Sequence, residues 1–200
     1  MSDMLETLAQ NLGGNTLGQI SSQIGADEGS TATAISAALP ILLGAMDRNT
    51  DQPGGAESLF NALNRDHDGS ILDDIAGHLG GAQSGPGEAI LGHVLGGKQK
   101  SVESGLSQVS GLDSGAIAKL LPILAPIVMG MLGRAQRQQG FDAGALSEML
   151  TGERKRAQAR NPGVGGILGD LLDTDNDGQV IDDVVKLGTS LLGGLLGSKR

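Results

Sequence analysis

The two halves of the chain repeat each other. Residues 125–130 echo residues 39–44 at an offset of 86, and matches at offsets of 83 to 87 extend along most of both halves. Helical repeats bury their apolar faces against one another, so neighbouring repeats share a core. We therefore predict an all-α fold of two pseudo-symmetric tandem modules. The predicted parts are module 1 at 1–79, a linker at 80–87, module 2 at 88–187 and a Gly/Leu-rich C-terminal tail at 188–200.

The chain is almost free of aromatic side chains, because Phe60 and Phe141 are its only ones. A core built from Leu, Ile, Val, Ala and Met forms helices more readily than a β-sandwich. The 34 glycines show no collagen period and alternate with aliphatic residues, which is typical of helix ends and close helix contacts. Composition therefore agrees with an all-α fold that has an apolar core.

Each half contains one strongly apolar helical segment with proline inside it, at residues 35–46 and 117–132. Neither segment is polar enough to face water, so we expect the two helices to pack against each other. Pro40 is expected to kink the first helix or to split it in two. The longest apolar stretch, residues 120–132, is shorter than the roughly 18 residues of a membrane span, and it predicts a buried helix.

Each module ends in an acidic loop with the same spacing. Counted from its first residue, each loop has side-chain oxygens at positions 1, 3 and 5, Gly at 6, an aliphatic residue at 8 and Asp at 10 and 11. Alternate oxygen ligands around a glycine turn are the donors that Ca2+ takes in a calcium loop. The candidate ligands in the first loop, 64–74, are Asn64, Asp66, Asp68, Ser70, Asp73 and Asp74. The candidate ligands in the second loop, 173–183, are Asp173, Asp175, Asp177, Gln179, Asp182 and Asp183.

The loops differ from an EF-hand at position 12, where Ile75 and Val184 replace the bidentate Glu. A second interpretation needs no metal. Asp, Asn and Gly are turn residues, and Ser70 with Asp73 resembles a capping box at the start of an exit helix over residues 70–79. In the second loop Gln179 stands in place of that serine. Both interpretations, calcium site and helix cap, stay open on the sequence.

The sequence lacks the residue patterns of common enzymes. It has no cysteine, its three histidines form no cluster, and no nucleophile is paired with a general base. The basic run at 153–156 lies in an insertion in module 2, residues 151–172, without interleaved aromatics. We interpret this run as a solvated helix face and not as a nucleic-acid site. We predict no catalytic residue, no cofactor other than Ca2+ and no small-molecule substrate.

The net charge of −9 is unevenly distributed, with −10 in residues 1–97 and +1 in residues 98–200. This difference favours head-to-tail association of copies. The apolar tail, residues 187–197, is expected to dock on its own core or to pair with another subunit, and its lack of a basic face argues against a membrane. Residues 1–6 lack the features of a signal peptide, which favours the cytoplasm. The expected partner is a second copy or another protein, not nucleic acid or a membrane.

The chain resembles a known family in three places. These are Ala-Leu-Pro-Ile-Leu-Leu-Gly at residues 38–44, the first loop at 66–74, and Leu-Pro-Ile-Leu-Ala-Pro at 121–126. They resemble the bacterial domain of unknown function nine hundred thirty-seven, related to YidB-like proteins, over roughly residues 8–150. The resemblance implies a cytoplasmic bacterial all-α protein and no particular activity.

We therefore predict a non-enzymatic structural or interaction protein with two calcium-loop-like sites. The alternative is a self-assembling protein that forms rings or filaments and whose acidic loops are only turns and helix caps.

Overall fold

A computed structural model of the protein describes residues 12, 14–81 and 86–160. Within these ranges the chain forms helices and turns without a strand, so the all-α prediction is confirmed. The second acidic loop and the C-terminal tail lie outside them. The α-helices are α1 (Asn15–Ile24), α2 (Glu28–Thr50), α3 (Gly55–Asp66), α4 (Ile75–Gly81), α5 (Gly87–Leu95), α6 (Gln99–Ser110), α7 (Ser114–Gln139) and α8 (Ala143–Arg160), with short 3-10 helices at Ser70–Asp73 and Gly96–Lys98.

The two longest helices, α2 and α7, begin in the same way. Before α2, Gly25 ends α1 in the left-handed conformation with a φ of 78°, and the Asp27 carboxylate accepts a hydrogen bond from the Ser30 N–H at 2.9 Å. Before α7, Gly111 ends α6 with a φ of 75°, and Asp113 accepts from the Ala116 N–H at 3.0 Å. Aspartate suits this position because it satisfies an N–H that the first helical turn leaves free.

Pro40 does not split the first apolar helix, since α2 runs without a break from Glu28 to Thr50. The expectation of two separate helices is therefore wrong, and the helix also continues past residue 46. A proline inside a helix removes one hydrogen bond and costs about 3 kcal/mol. Every residue from 37 to 47 is buried. We attribute the intact helix to this packing, which stabilises it on all sides.

Helices from both halves of the chain share one core. Helix α2 packs against α7, as predicted, and also against α1, α6 and α8. The buried side chains of α2 and α7, among them Ile41, Leu42, Leu120 and Leu124, belong to a single cluster. Both helices are long and apolar enough to cross a membrane, yet 72% of each apolar window is buried inside the protein. Such burial is typical of core helices, and the cytoplasmic location stays a prediction.

Helix α8 contradicts part of the interpretation of the basic run as a solvated face, because Lys155 and Arg156 are exposed but Glu153 and Arg154 are not. The Arg154 Nε donates to the carboxylate of Asp47 on α2, whose side chain is only 1% exposed. The Thr151 hydroxyl donates to the other carboxylate oxygen of Asp47 at 2.7 Å. Glu153 is also buried and pairs with Arg156 at 2.5 Å. The interpretation fails for Glu153 and Arg154 because one side of α8 packs against α2.

Candidate functional site

The first acidic loop leaves the end of α3 and turns at Gly69, whose φ of 91° suits glycine. A 3-10 helix, Ser70–Asp73, follows, and Asp74 separates it from α4. The Asp74 carboxylate accepts a hydrogen bond from the Gly77 N–H at 2.8 Å. The predicted continuous exit helix from Ser70 is therefore wrong: the α-helix begins at Ile75, and Asp74 takes the capping role expected of Ser70.

The loop lies directly on α7 at two glycines. A Cβ atom added at Gly133 would lie 1.7 Å from the carbonyl oxygen of His67. A Cβ atom added at Gly130 would lie 2.3 Å from Cγ2 of Ile71. A larger residue at either position would force the loop to shift. The two glycines therefore let the loop contact the helix closely.

Two arginines on α7 supply positive charge to the loop. Arg134 Nη2 donates to the carbonyl oxygen of Gly69 at 2.6 Å and to the carboxylate of Asp73 at 2.7 Å. Arg137 donates to the Asn64 carbonyl at 3.2 Å, and its other terminal nitrogen lies 3.8 Å from the Asp68 carboxylate. The sequence analysis missed these partners. The available signal was their spacing with Gly130 and Gly133, which places all four residues on one side of a helix.

The electrostatics of the loop favour the charged form of two of its carboxylates, Asp66 and Asp68. A hydrogen bond from Ser70 lowers the pKa of Asp68, and Arg137 acts in the same direction. The hydrogen bond from Arg65 lowers the pKa of Asp66. Burial lowers the pKa of His67, and the nearby Asp66 charge opposes this shift. The His67 side chain is partly buried.

Three of the six predicted metal ligands of this loop each bind a different partner within the protein. Asp68 accepts from the Ser70 N–H at 2.9 Å, Asp73 binds Arg134, and Asp74 caps α4. Among the described residues, no group of three or more acidic or histidine side chains is placed to hold a metal ion. The six candidate ligands from Asp173 to Asp183 lie outside those residues. Calcium binding stays a prediction for both loops.

An apolar groove of about 410 Å3 lies beside the loop. One wall is formed by Ile75, His78 and Leu79 of α4, which is also held by α1 through a hydrogen bond from Gln23 Nε2 to the Leu79 carbonyl at 3.2 Å. The start of α5 closes one side. The residues on α7 that line the groove are Ala118, Lys119, Pro122, Ile123, Pro126 and Ile127.

The two prolines of α7 change the chemistry of this groove. Because proline has no N–H, Pro122 and Pro126 leave the carbonyls of Ala118 and Pro122 without their usual helical donors. The start of α5 comes close to one of these carbonyls, since a Cβ atom added at Gly87 would lie 2.0 Å from the Pro122 oxygen. The groove thus combines aliphatic side chains with backbone acceptors. Such a lining suits an apolar polypeptide segment that brings small residues or polar hydrogens.

Comparison with known proteins gives one match. Residues 6–136 match the family described as "Bacterial protein of unknown function (DUF937)". This range contains α2, the first acidic loop, the groove and most of α7. No curated protein and no solved structure matches the chain.

Proposed function

Because the chain belongs to this family of bacterial proteins of unknown function, we propose its role from the groove itself. The protein is a non-enzymatic interaction protein that self-associates. The Gly/Leu-rich tail of one copy docks in the α7 groove of a second copy. The open groove beside α5, lined by aliphatic side chains of α4 and α7, is the observation that carries this proposal.

The tail resembles in sequence α5, a helix that already packs against α7. Residues 188–197 repeat residues 87–96 at an offset of 101, with glycine at the same three positions and Leu192 at the place of Leu91. Helix α5 packs on α7 through buried residues of this segment. The tail residues that correspond to its buried Gly87, Leu91, Val94 and Leu95 are Gly188, Leu192, Leu195 and Leu196. The tail therefore offers aliphatic side chains and glycines of the kind that α7 already binds.

The charges near the groove agree with this occupant. The tail is uncharged from 188 to 198, and the groove is lined by one charge of each sign, Glu88 and Lys119, so it suits a neutral segment. A tail from one copy in the groove of another is a heterologous contact, which produces rings or filaments when it repeats. The difference in net charge between the two halves of the chain favours the same head-to-tail arrangement.

Self-association is tested by blocking each side of the contact. Light scattering of the full chain should give a mass that rises with concentration above the monomer value of 20.2 kDa. Ala118→Trp fills the groove and Leu192→Asp places a charge on the tail, so each variant should remain a monomer. Gln138→Trp puts the same bulk on an exposed position of α7 away from the groove, and it should assemble like the unaltered chain. An unaltered chain that is monomeric at every concentration would exclude this function.

We also propose that the two halves are pseudo-symmetric modules. Before both α2 and α7, a glycine ends the preceding helix and an aspartate caps the next one. The two copies of this pattern are 86 residues apart, which supports the proposal. The order of a short helix, a long proline-containing helix and a third helix is also the same in α1–α3 and α6–α8.

Calcium binding at the acidic loops is a second proposal, supported by the repeated oxygen spacing. Ca2+ added to chelator-treated protein should raise the melting temperature, because binding to the folded state alone stabilises it. Asp175→Asn with Asp177→Asn should remove the contribution of the second loop. Arg134→Ala with Arg137→Ala should strengthen binding at the first loop, where these guanidinium groups compete with the cation. Titration without heat and without a thermal shift would leave the loops as turns and helix caps.

A further inference from the structure

One continuous segment forms a wall of the apolar groove. Among the residues that line the groove, Ile71, Ile75, His78 and Leu79 all belong to this segment. It consists of the end of the first acidic loop and most of α4, and a helix this short is not stable by itself in water. The position of the wall, and with it the width of the groove, therefore depends on contacts with the rest of the protein.

The far end of the wall is held by α1. Gln23, which also lines the groove, donates a hydrogen bond from Nε2 to the Leu79 carbonyl at 3.2 Å. At the other end of α4, the Asp74 carboxylate accepts from the Gly77 N–H at 2.8 Å and so joins the loop to the first helical turn. A movement of the loop would therefore move the start of α4 with it.

The near end of the wall is held by Arg134 of α7. Its Nη2 donates both to the Gly69 carbonyl at 2.6 Å and to the Asp73 carboxylate at 2.7 Å, so one side chain holds the turn on both sides of Ile71. Ile71 itself packs on Gly130 of α7 and lines the groove. Arg134 thus fixes where the wall lies, although it is not among the described residues that line the groove.

We infer that Arg134 is a positioning residue for the groove: by holding the first loop on α7, it sets the wall against which the tail of a second copy docks. The inference rests on the proposed function, which supplies the occupant of the groove. It gives the acidic loop a role that needs no metal, because the contact between the loop and α7 reaches the groove through α4. Arg137 provides the comparison, since it contacts Asn64 and Asp68, which precede the turn.

Alanine substitutions at the two arginines test the inference in the full chain. Arg134→Ala should raise the concentration at which half of the chains are assembled about tenfold, the factor that corresponds to one lost hydrogen bond from a charged group. Light scattering measures this concentration. The amides of α4 should also exchange faster with solvent in this variant. Arg137→Ala removes the same charge from α7 but leaves both ends of the wall held, so it should assemble like the unaltered chain.

A disulfide can take the place of Arg134 in holding the loop. The Cβ of Ile71 lies 3.8 Å from the position of a Cβ built on Gly130, and the two Cβ atoms of a disulfide are typically about 3.5–4.5 Å apart. The chain has no cysteine of its own, so the introduced pair has no competing thiols. Ile71→Cys with Gly130→Cys should restore assembly of the Arg134→Ala variant when oxidised, and reduction should remove it again. An effect of the missing charge alone would not be restored in this way.

Two results would overturn this inference and leave the proposed function standing. One is assembly of the Arg134→Ala variant at the same concentration as the unaltered chain. The other is an oxidised Arg134→Ala variant that is folded by circular dichroism but stays a monomer, while the same cysteine pair with Arg134 present assembles. An unaltered chain that is a monomer at every concentration would instead overturn the proposed function, and this inference with it.

Discussion

Replacing Arg154 with alanine is expected to lower the free energy of unfolding by about 3–5 kcal/mol, the usual cost of removing one partner from a buried ion pair. The side chain of Asp47 is 1% exposed, and Arg154 is the cation that binds it. Without the guanidinium the carboxylate keeps the Thr151 hydroxyl as its side-chain donor. One neutral hydrogen bond does not offset the cost of a buried charge.

Urea unfolding of the two chains, followed by circular dichroism, measures this difference. Lys155→Ala is the matched control, because Lys155 is the next residue on α8 and is exposed. Its effect should stay within about 0.5 kcal/mol. Adding Asp47→Asn to the Arg154 variant removes the unpaired charge and should restore part of the stability. A loss below about 1 kcal/mol, as for an exposed ion pair, would contradict the buried contact.

The sequence predicted the parts of the fold that depend on neighbouring residues. Helices α2 and α7 follow from the apolar segments at 35–46 and 117–132, and each begins after a capping aspartate, Asp27 or Asp113. These signals depend on residues that are close in the sequence, so they can be recognised without knowledge of the fold. The break at Asp74 was missed, because Ser70 and Asp73 offer an equally good local cap and only the packed loop shows which one forms.

The errors lie where distant residues meet. Pro40 was expected to kink α2 or to split it, and the split does not occur, since the helix is buried against several other helices. Arg154 was assigned to a solvated face, although its partner Asp47 stands 107 positions away. The sequence places both residues in polar or mixed surroundings, and only the packing of α8 on α2 joins them.

The candidate site shows the same division. The spacing of oxygens and glycine predicted a tight acidic turn, and the chain does turn at Gly69. The residues near the loop do not reveal its source of positive charge, because Arg134 lies 61 residues beyond Asp73. From the sequence alone, either a bound metal ion or two arginines from another helix could neutralise this cluster of carboxylates. Choosing between them requires knowing which helix the loop contacts.

Replacing Gly133 with alanine should destabilise the protein by about 1–3 kcal/mol, the cost typical of overpacking. The added methyl group would lie 1.7 Å from the His67 carbonyl oxygen, which is backbone and cannot move away by a side-chain rotation. The loop must then separate from α7. This cost opposes a gain of up to about 1 kcal/mol from the higher helix propensity of alanine.

Gly152→Ala separates these two effects. Gly152 lies in α8, and a Cβ atom added there meets nothing within 4 Å. Alanine at this position should therefore raise the free energy of unfolding by about 0.5–1 kcal/mol. Hydrogen exchange gives the second measurement, because the amides of residues 64–81 should exchange faster in the Gly133 variant alone. Equal stability of the two variants would mean that the loop does not rest on α7, and the wall of the groove would then lack its support.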